Sequence, residues 1–330
     1  MSLEKRYGDL EDLAQGGMAK ILKGKDLSLG REVAIKRPLP SEDPERFWQE
    51  ARATGRLEHA NIPPLYEAGR DEQGQPYLAL KLVRGHSLTQ LIEKLDQGEL
   101  HDLYRFPHRL AVFEKVCEAV AYAHQQGVFH RDIKPDNIMV GEYGEVFLLD
   151  WGLARGEPAA PQPDADFSGT PAYCAPEIVR GEGPSPASEV YSLGATLYEW
   201  MSLRPAHTGK NLVDVLNSVM KHGPADPARL AHKAQDKVPI EVARVILQAM
   251  AKDPQNRYAS VAELRAAVRN ILDGEIKPVC PCTTVKFSFR EITTAIDNYP
   301  ILSALVLLWM IYPLLHWTYL GWNWYRVPPG

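Results

Sequence analysis

Asp132, Lys134 and Asn137 fall in one octapeptide, His130-Arg131-Asp132-Ile133-Lys134-Pro135-Asp136-Asn137, and Asp150-Trp151-Gly152 follows thirteen residues beyond Asn137. Upstream stands Val33-Ala34-Ile35-Lys36, and downstream come Gly169-Thr170-Pro171-Ala172-Tyr173-Cys174-Ala175-Pro176-Glu177 and a late Arg257. A carboxylate can accept a proton, Asp and Asn oxygens suit a hard divalent cation, and a lysine ammonium can neutralise an anionic group. Taken singly, each residue has a plainer reading. A lone Asp, Lys or Glu is usually a solvated surface charge, Val33-Ala34-Ile35 is a buried strand in any case, and a lone His130 is a satisfied core histidine. The order and spacing of the whole set argue for one shared site.

The elements that must position this set follow from pattern. Around Ile21-Leu22, Val33-Ala34-Ile35 and Tyr77 through Val83, short β-prone runs are separated by Gly-containing turns, so the first eighty or so residues favour strands. One helix interrupts them after Pro44, where ERFWQEARATGRLEH has helix-forming composition and a proline start. From Ser87 onward helices dominate. The clearest covers 107–126, where Leu110, Phe113, Val116, Cys117, Val120 and Ala121 recur at three- and four-residue steps. The expectation is an α+β fold: a small sheet lobe with one helix, then a larger helical lobe. Residues 156–166 read as a mobile low-complexity loop.

In motif order and spacing over about residues 7 to 272, the chain resembles the protein-kinase family, specifically the bacterial kinases of eukaryotic type. The resemblance implies a two-lobed fold, with an antiparallel β-sheet N-lobe over 1–83 and a helical C-lobe over 84–272. It implies phosphoryl transfer from ATP to protein Ser or Thr hydroxyls, with Mg²⁺ as metal and Mn²⁺ as an alternative. That reaction offers little covalent work, so the protein must neutralise polyphosphate charge, hold the groups in line and position the hydroxyl. By the same resemblance, Lys36 contacts the α- and β-phosphates while Glu50 holds its ammonium, and Asn137 and Asp150 are the metal ligands. Asp132 accepts or orients the substrate hydroxyl's proton, and Lys134 stabilises the transferring group. The nucleotide-binding set is Leu13, Ala14, Gly16, Gly17, Ile21, Ala34, Lys36, Glu50, Lys81 and Val83. Lys134 and the Gly169-Thr170 pair match the serine/threonine branch, and Glu177 with Arg257 matches a buried ion pair bracing the C-lobe.

The chain departs from the family at four places. Ala14 and Ala19 stand at the first and third glycine positions of the phosphate-covering loop, leaving Gly16 with Gly17 beside it; Ala brings a methyl and a narrower φ range close to the phosphates. Trp151 replaces the usual Phe after the metal-binding Asp and demands more room. Glu189 stands where the family has an Asp that holds the catalytic-loop backbone, and one added methylene could misplace that carboxylate. Between Leu153 and Thr170 the sole hydroxyl is Ser168, with Asp164 and Asp166 already negative, so either Ser168 is phosphorylated or the acidic pair substitutes for a phosphate near Arg131. These departures define the rival reading, a pseudokinase that binds nucleotide or scaffolds a partner. The intact set Lys36, Glu50, Asp132, Asn137 and Asp150 opposes it.

The net charge of -5 argues against a nucleic-acid partner. Four cysteines, Cys117, Cys174, Cys280 and Cys282, form no disulfide framework and fit a reducing cytosol; Cys280-Pro281-Cys282 is a linker feature or an acylation site rather than half of a zinc site. The N-terminus has no apolar core that could serve as a signal peptide. From 298 to 325 there is no Asp, Glu, Lys or Arg, and 301–320 reads ILSALVLLWMIYPLLHWTYL, which as a helix would be roughly 30 Å long, one bilayer core. Trp317, Tyr319, Trp322, Trp324 and Tyr325 crowd its far end like rings at a headgroup layer. The expected layout is therefore a linker over 273–298, a transmembrane helix over 299–321 and a short tail over 322–330. That layout makes the protein single-pass in a bacterial inner membrane with its kinase domain in the cytoplasm. Expected partners are protein substrates with Ser/Thr acceptors, the lipid bilayer and a second copy of the chain. A ten-residue tail after Leu320 is too short for an external sensor, so regulation would arrive through a partner, the lipid or helix dimerisation.

Overall fold

The computed structural model describes residues 3–16, 19–41, 43–101, 103–151 and 169–274. Gly17, the acidic pair Asp164 and Asp166, Ser168, Cys280, Cys282 and the expected linker, membrane helix and tail lie outside them. Among the described residues no helix is long and apolar enough to cross a membrane.

The chain begins with a short helix α1 (Leu3–Arg6), then strands β1 (Tyr7–Gln15), β2 (Ala19–Asp26) and β3 (Arg31–Pro38), helix α2 (Pro44–Gly55), and strands β4 (Leu65–Arg70) and β5 (Pro76–Lys81). The five strands form one antiparallel sheet in the order β1-β2-β3-β5-β4. Alternation along β3 decides the rest of this lobe. Val33 and Ile35, both fully buried, point to the face where Leu3, Tyr7, Leu22, Tyr77 and Ala79 gather. Ala34 and Lys36 therefore share the opposite face, where their cross-strand partners Leu80 and Leu78 lie and where Phe47 and Ala51 of α2 pack. α2 starts where Asp43 accepts from the Glu45 N–H and Pro44 occupies the first turn, a proline-led N-terminus with a side-chain cap.

The second lobe opens with β6 (Gly85–Ser87), α3 (Leu88–Asp96) and the long α4 (Phe106–Gln125), followed by β7 (Ile138–Gly141) and β8 (Val146–Leu148). Ser87 starts α3 with a capping box, exchanging bonds with Gln90. β6, β7 and β8 make a second antiparallel sheet. After it come α5 (Pro176–Val179), α6 (Pro186–Ser202), α7 (Leu212–Lys221), α8 (Ile240–Ala249) and α9 (Val261–Leu272). α6 is apolar and buried all round, including Val190, Tyr191, Leu193, Leu197, Trp200 and Met201, which marks it as the central post of the lobe. α4 buries Leu110, Phe113, Val116, Cys117, Val120 and Ala123 in the same core.

Candidate active site

Lys36 lies one strand position past Ile35, directly opposite Ile21 of β2, on the face turned toward α2. In α2, Phe47, Glu50, Ala51 and Thr54 are buried at helical three- and four-residue spacing, so packing Phe47 and Ala51 against the sheet brings Glu50 to Lys36. The Lys36 ammonium donates to Glu50 Oε1 at 2.5 Å and to Asp150 Oδ1 at 2.6 Å. Burial by itself would push this ammonium's pKa down, but the Asp150 and Glu50 carboxylates override it and hold the group above its ordinary value. Lys36 is therefore a fixed cation joining the two lobes.

The loop from Val128 to Asn137 is held from three sides. Glu189, in the first turn of α6, accepts the Arg131 N–H at 2.6 Å with Oε1 and the His124 Nε2–H at 2.6 Å with Oε2. The extra methylene does not misplace this carboxylate, because its reach spans both donors. Fully buried His130 donates from Nε2 to the Leu149 carbonyl at 2.8 Å and packs 4.6 Å from the Trp151 ring. Trp151 finds the room that its size demands: it is 2% exposed, and its indole N–H reaches the Leu148 carbonyl at 3.2 Å. Arg131 and Asp150 both adopt left-handed backbone, φ 70° and 58°, a conformation that persists only where surrounding contacts enforce it.

Asp132 is the hub of the loop. Its Oδ1 accepts the Thr170 backbone N–H at 3.0 Å and the Thr170 hydroxyl at 2.9 Å. Its Oδ2 lies 2.7 Å from the Lys134 ammonium and accepts from Asn137 Nδ2 at 3.2 Å. Lys134 in turn donates to the Thr170 hydroxyl at 2.7 Å. Gly169 makes this approach possible: at φ 119° a Cβ there would sit 3.0 Å from the Arg131 carbonyl oxygen.

These groups open into one cleft of about 1070 Å³. Leu13, Ala14, Gly16, Ile21, Ala34, Lys36, Glu50, Lys81, Val83, Asp132, Lys134, Asn137 and Asp150 all line it, so the structure brings together every sequence-expected residue except Gly17, which lies outside the described residues. Further lining residues escaped the sequence reading, the apolar Phe47, Leu80, Leu82 and Met139 among them. Leu80 shares a face with Ala34 by register, and Met139 sits two residues after Asn137 on β7, so strand alternation was the signal that could have found both. His124 was also missed, because nothing in its own α4 pattern marks a partner 65 residues away.

Residues 7–268 match the protein kinase domain family. The chain belongs to that family. The chain is 34% identical over 304 aligned residues to the serine/threonine-protein kinase PknD of Protochlamydia amoebophila, an alignment covering 83% of this chain and 30% of the relative. It is 31% and 33% identical to the serine/threonine-protein kinases PknB of Mycobacterium leprae and Mycobacterium tuberculosis, over 83% of this chain and 44% of each relative. The chain thus spans less than half the length of these relatives. The kinase domain also contains a buried bidentate pair: Arg257 donates from Nη1 and Nη2 to Glu177 Oε1 and Oε2 at 2.6 and 2.8 Å, and its remaining N–H groups reach the carbonyls of Ala251, Ala187 and Lys252.

Proposed function

We propose that the protein is a serine/threonine protein kinase that transfers the γ-phosphoryl group of ATP to protein hydroxyls. The observation that carries this reading is the Lys36 ammonium bonded to both Glu50 and Asp150 in a cleft also lined by Asp132, Lys134 and Asn137. Lys36 then binds the α- and β-phosphates as a point charge already oriented by Glu50, which removes the ordering cost at the moment of binding. Asp132, held by Thr170 and Asn137, accepts or orients the acceptor hydroxyl's proton, a contribution of about 10²- to 10⁴-fold in rate. Lys134 stands beside Asp132 and stabilises the negative charge of the transferring group. Its bond to Thr170 ties both to the segment that receives the acceptor peptide, which supports Ser or Thr as acceptor.

The donor set fits a hard divalent cation. Asn137 spends its Nδ2 on Asp132, which turns its amide oxygen the other way, and the Asp150 carboxylate is half exposed at the cleft. Mg²⁺ held there by Asn137 and Asp150 would neutralise phosphate charge, with Mn²⁺ able to substitute. Leu13, Ala14, Gly16, Gly17, Ile21, Ala34, Lys81 and Val83 form the nucleotide-binding walls in this reading.

The kinase domain, with lobes over 1–83 and 84–272, is held at a bacterial inner membrane by the uncharged segment 299–321, on the cytoplasmic side where ATP is found; the charge-free run from 298 to 325 supports this. Its partners in this reading are protein substrates, the bilayer and a second copy of the chain. A pseudokinase is the competing reading, favoured by Ala14 and Ala19. Incubation with labelled ATP, Mg²⁺ and Ser-, Thr- and Tyr-bearing peptides tests the choice: label on Ser or Thr, absent with Asp150→Asn, is expected, and no label from either protein supports the pseudokinase. Flotation of the full chain with lipid vesicles, lost on deleting 299–330, tests the tether; a full chain that stays unbound refutes it.

A further inference from the structure

A second cavity, about 670 Å³, opens in the helical lobe between the first turn of α4 and the loop 233–236, and it shares no lining residue with the catalytic cleft. Its inner wall is Arg109. This residue is 2% exposed, yet among the described residues its guanidinium meets only neutral partners: Nε donates to the Tyr104 carbonyl at 2.7 Å, Nη1 donates to Gln235 Oε1 at 2.7 Å and to the Trp200 carbonyl at 3.3 Å, and the group lies over the Phe106 and Trp200 rings at 5.3 and 5.5 Å. Among the described residues Nη2 makes no hydrogen bond and Arg109 forms no ion pair. Taking a cation out of water without a counter-charge is costly, and the burial lowers the guanidinium pKa to about 10. Arg257 makes the contrast within the same lobe, since it is buried against a carboxylate.

Three features around Arg109 agree in sign. The first turn of α4 has no side-chain cap hydrogen bond, and it lines the cavity through Arg105, Phe106 and Pro107, so the positive end of a 20-residue helix borders it. Exposed Lys233 stands on the facing wall, and Phe106 and Tyr104 supply an apolar side. Among the described residues the one carboxylate in the lining is exposed Asp236. We propose that this cavity is an anion-binding site whose ligand is a small molecule presenting a phosphate or carboxylate to Arg109 and Lys233, with its apolar part against Phe106. Bound there, the anion supplies the counter-charge that the described residues around Arg109 leave out.

Arg109 itself ties α4 to α6 and is a poor first target, because its loss would loosen the lobe. The two exposed wall charges test the site without touching the core. The full chain is titrated calorimetrically with inorganic phosphate and, separately, with acetate, as the parent and as Lys233→Ala and Asp236→Asn. Saturable binding is expected, weakened about three- to tenfold by Lys233→Ala and tightened by a similar factor by Asp236→Asn, as Coulomb terms at a partly solvated wall require. The tighter of the two anions identifies the ligand's charged group. No saturable binding of either anion up to about 10 mM, or binding that neither substitution changes, overturns the proposal.

Discussion

Replacing Arg257 by Ala removes one half of the Glu177–Arg257 pair, and the structure sets the size of the effect. The two side chains are 0% and 4% exposed and joined by two parallel bonds of 2.6 and 2.8 Å. The substitution leaves the Glu177 carboxylate buried without its partner and strands the Ala251, Ala187 and Lys252 carbonyls that Arg257 had satisfied. Breaking a buried pair on one side costs about 3–5 kcal/mol. Unfolding entropy of about 2.1 cal/mol/K per residue over the matched residues 7–268 gives about 0.55 kcal/mol/K, so Tm should fall by about 5–9 °C. Scanning calorimetry on parent and variant measures this directly. Arg257→Lys should recover only part of the loss, because a point charge cannot make the bidentate contact. A Tm within about 2 °C of the parent would refute the claim that the pair braces the lobe.

Gly169→Ala forces a side chain into φ 119° and against the Arg131 carbonyl; displacing Thr170 should lower transfer about a hundredfold with little loss of nucleotide affinity, read from initial rates. His207 is buried against Tyr191 and Ser218, and burial lowers its pKa from 6.5 to about 4, so the unfolded chain takes up a proton first as pH falls. Stability from this residue is complete above about pH 6.5 and is lost toward pH 4, by at most ~3 kcal/mol; urea melts should show that His207→Gln flattens this part of the profile relative to the parent. Trp151→Phe should cost about 1–3 kcal/mol in the same assay, because it opens a void beside His130 and frees the Leu148 carbonyl.

The cleft was legible because its chemistry is carried by contiguous strings: Lys36 ends an apolar run, and Asp132, Lys134 and Asn137 share eight residues. Helix α4 was legible for a different reason, its three- and four-residue apolar steps, and its observed start at Phe106 lies one residue before the expected one. Strand β1 was not, since seven of its nine positions are exposed and Tyr7-Gly8-Asp9-Leu10-Glu11-Asp12 shows no alternation; it exists through pairing with β2. Glu189 looked defective in sequence because its second donor, His124, comes from another helix. Long-range partners of that kind depend on packing, which local pattern does not encode.

The central claim is that this cleft transfers phosphoryl groups rather than merely holding nucleotide. Asp132 separates the two, because the proposed mechanism assigns it to the acceptor hydroxyl and not to the nucleotide. The decisive measurement is phosphorylation of a Ser/Thr peptide by the parent and by Asp132→Asn, with ATP affinity measured in parallel. The account predicts a loss of transfer of about 10²- to 10⁴-fold at unchanged ATP affinity. Transfer by the parent no greater than by Asp132→Asn would contradict it.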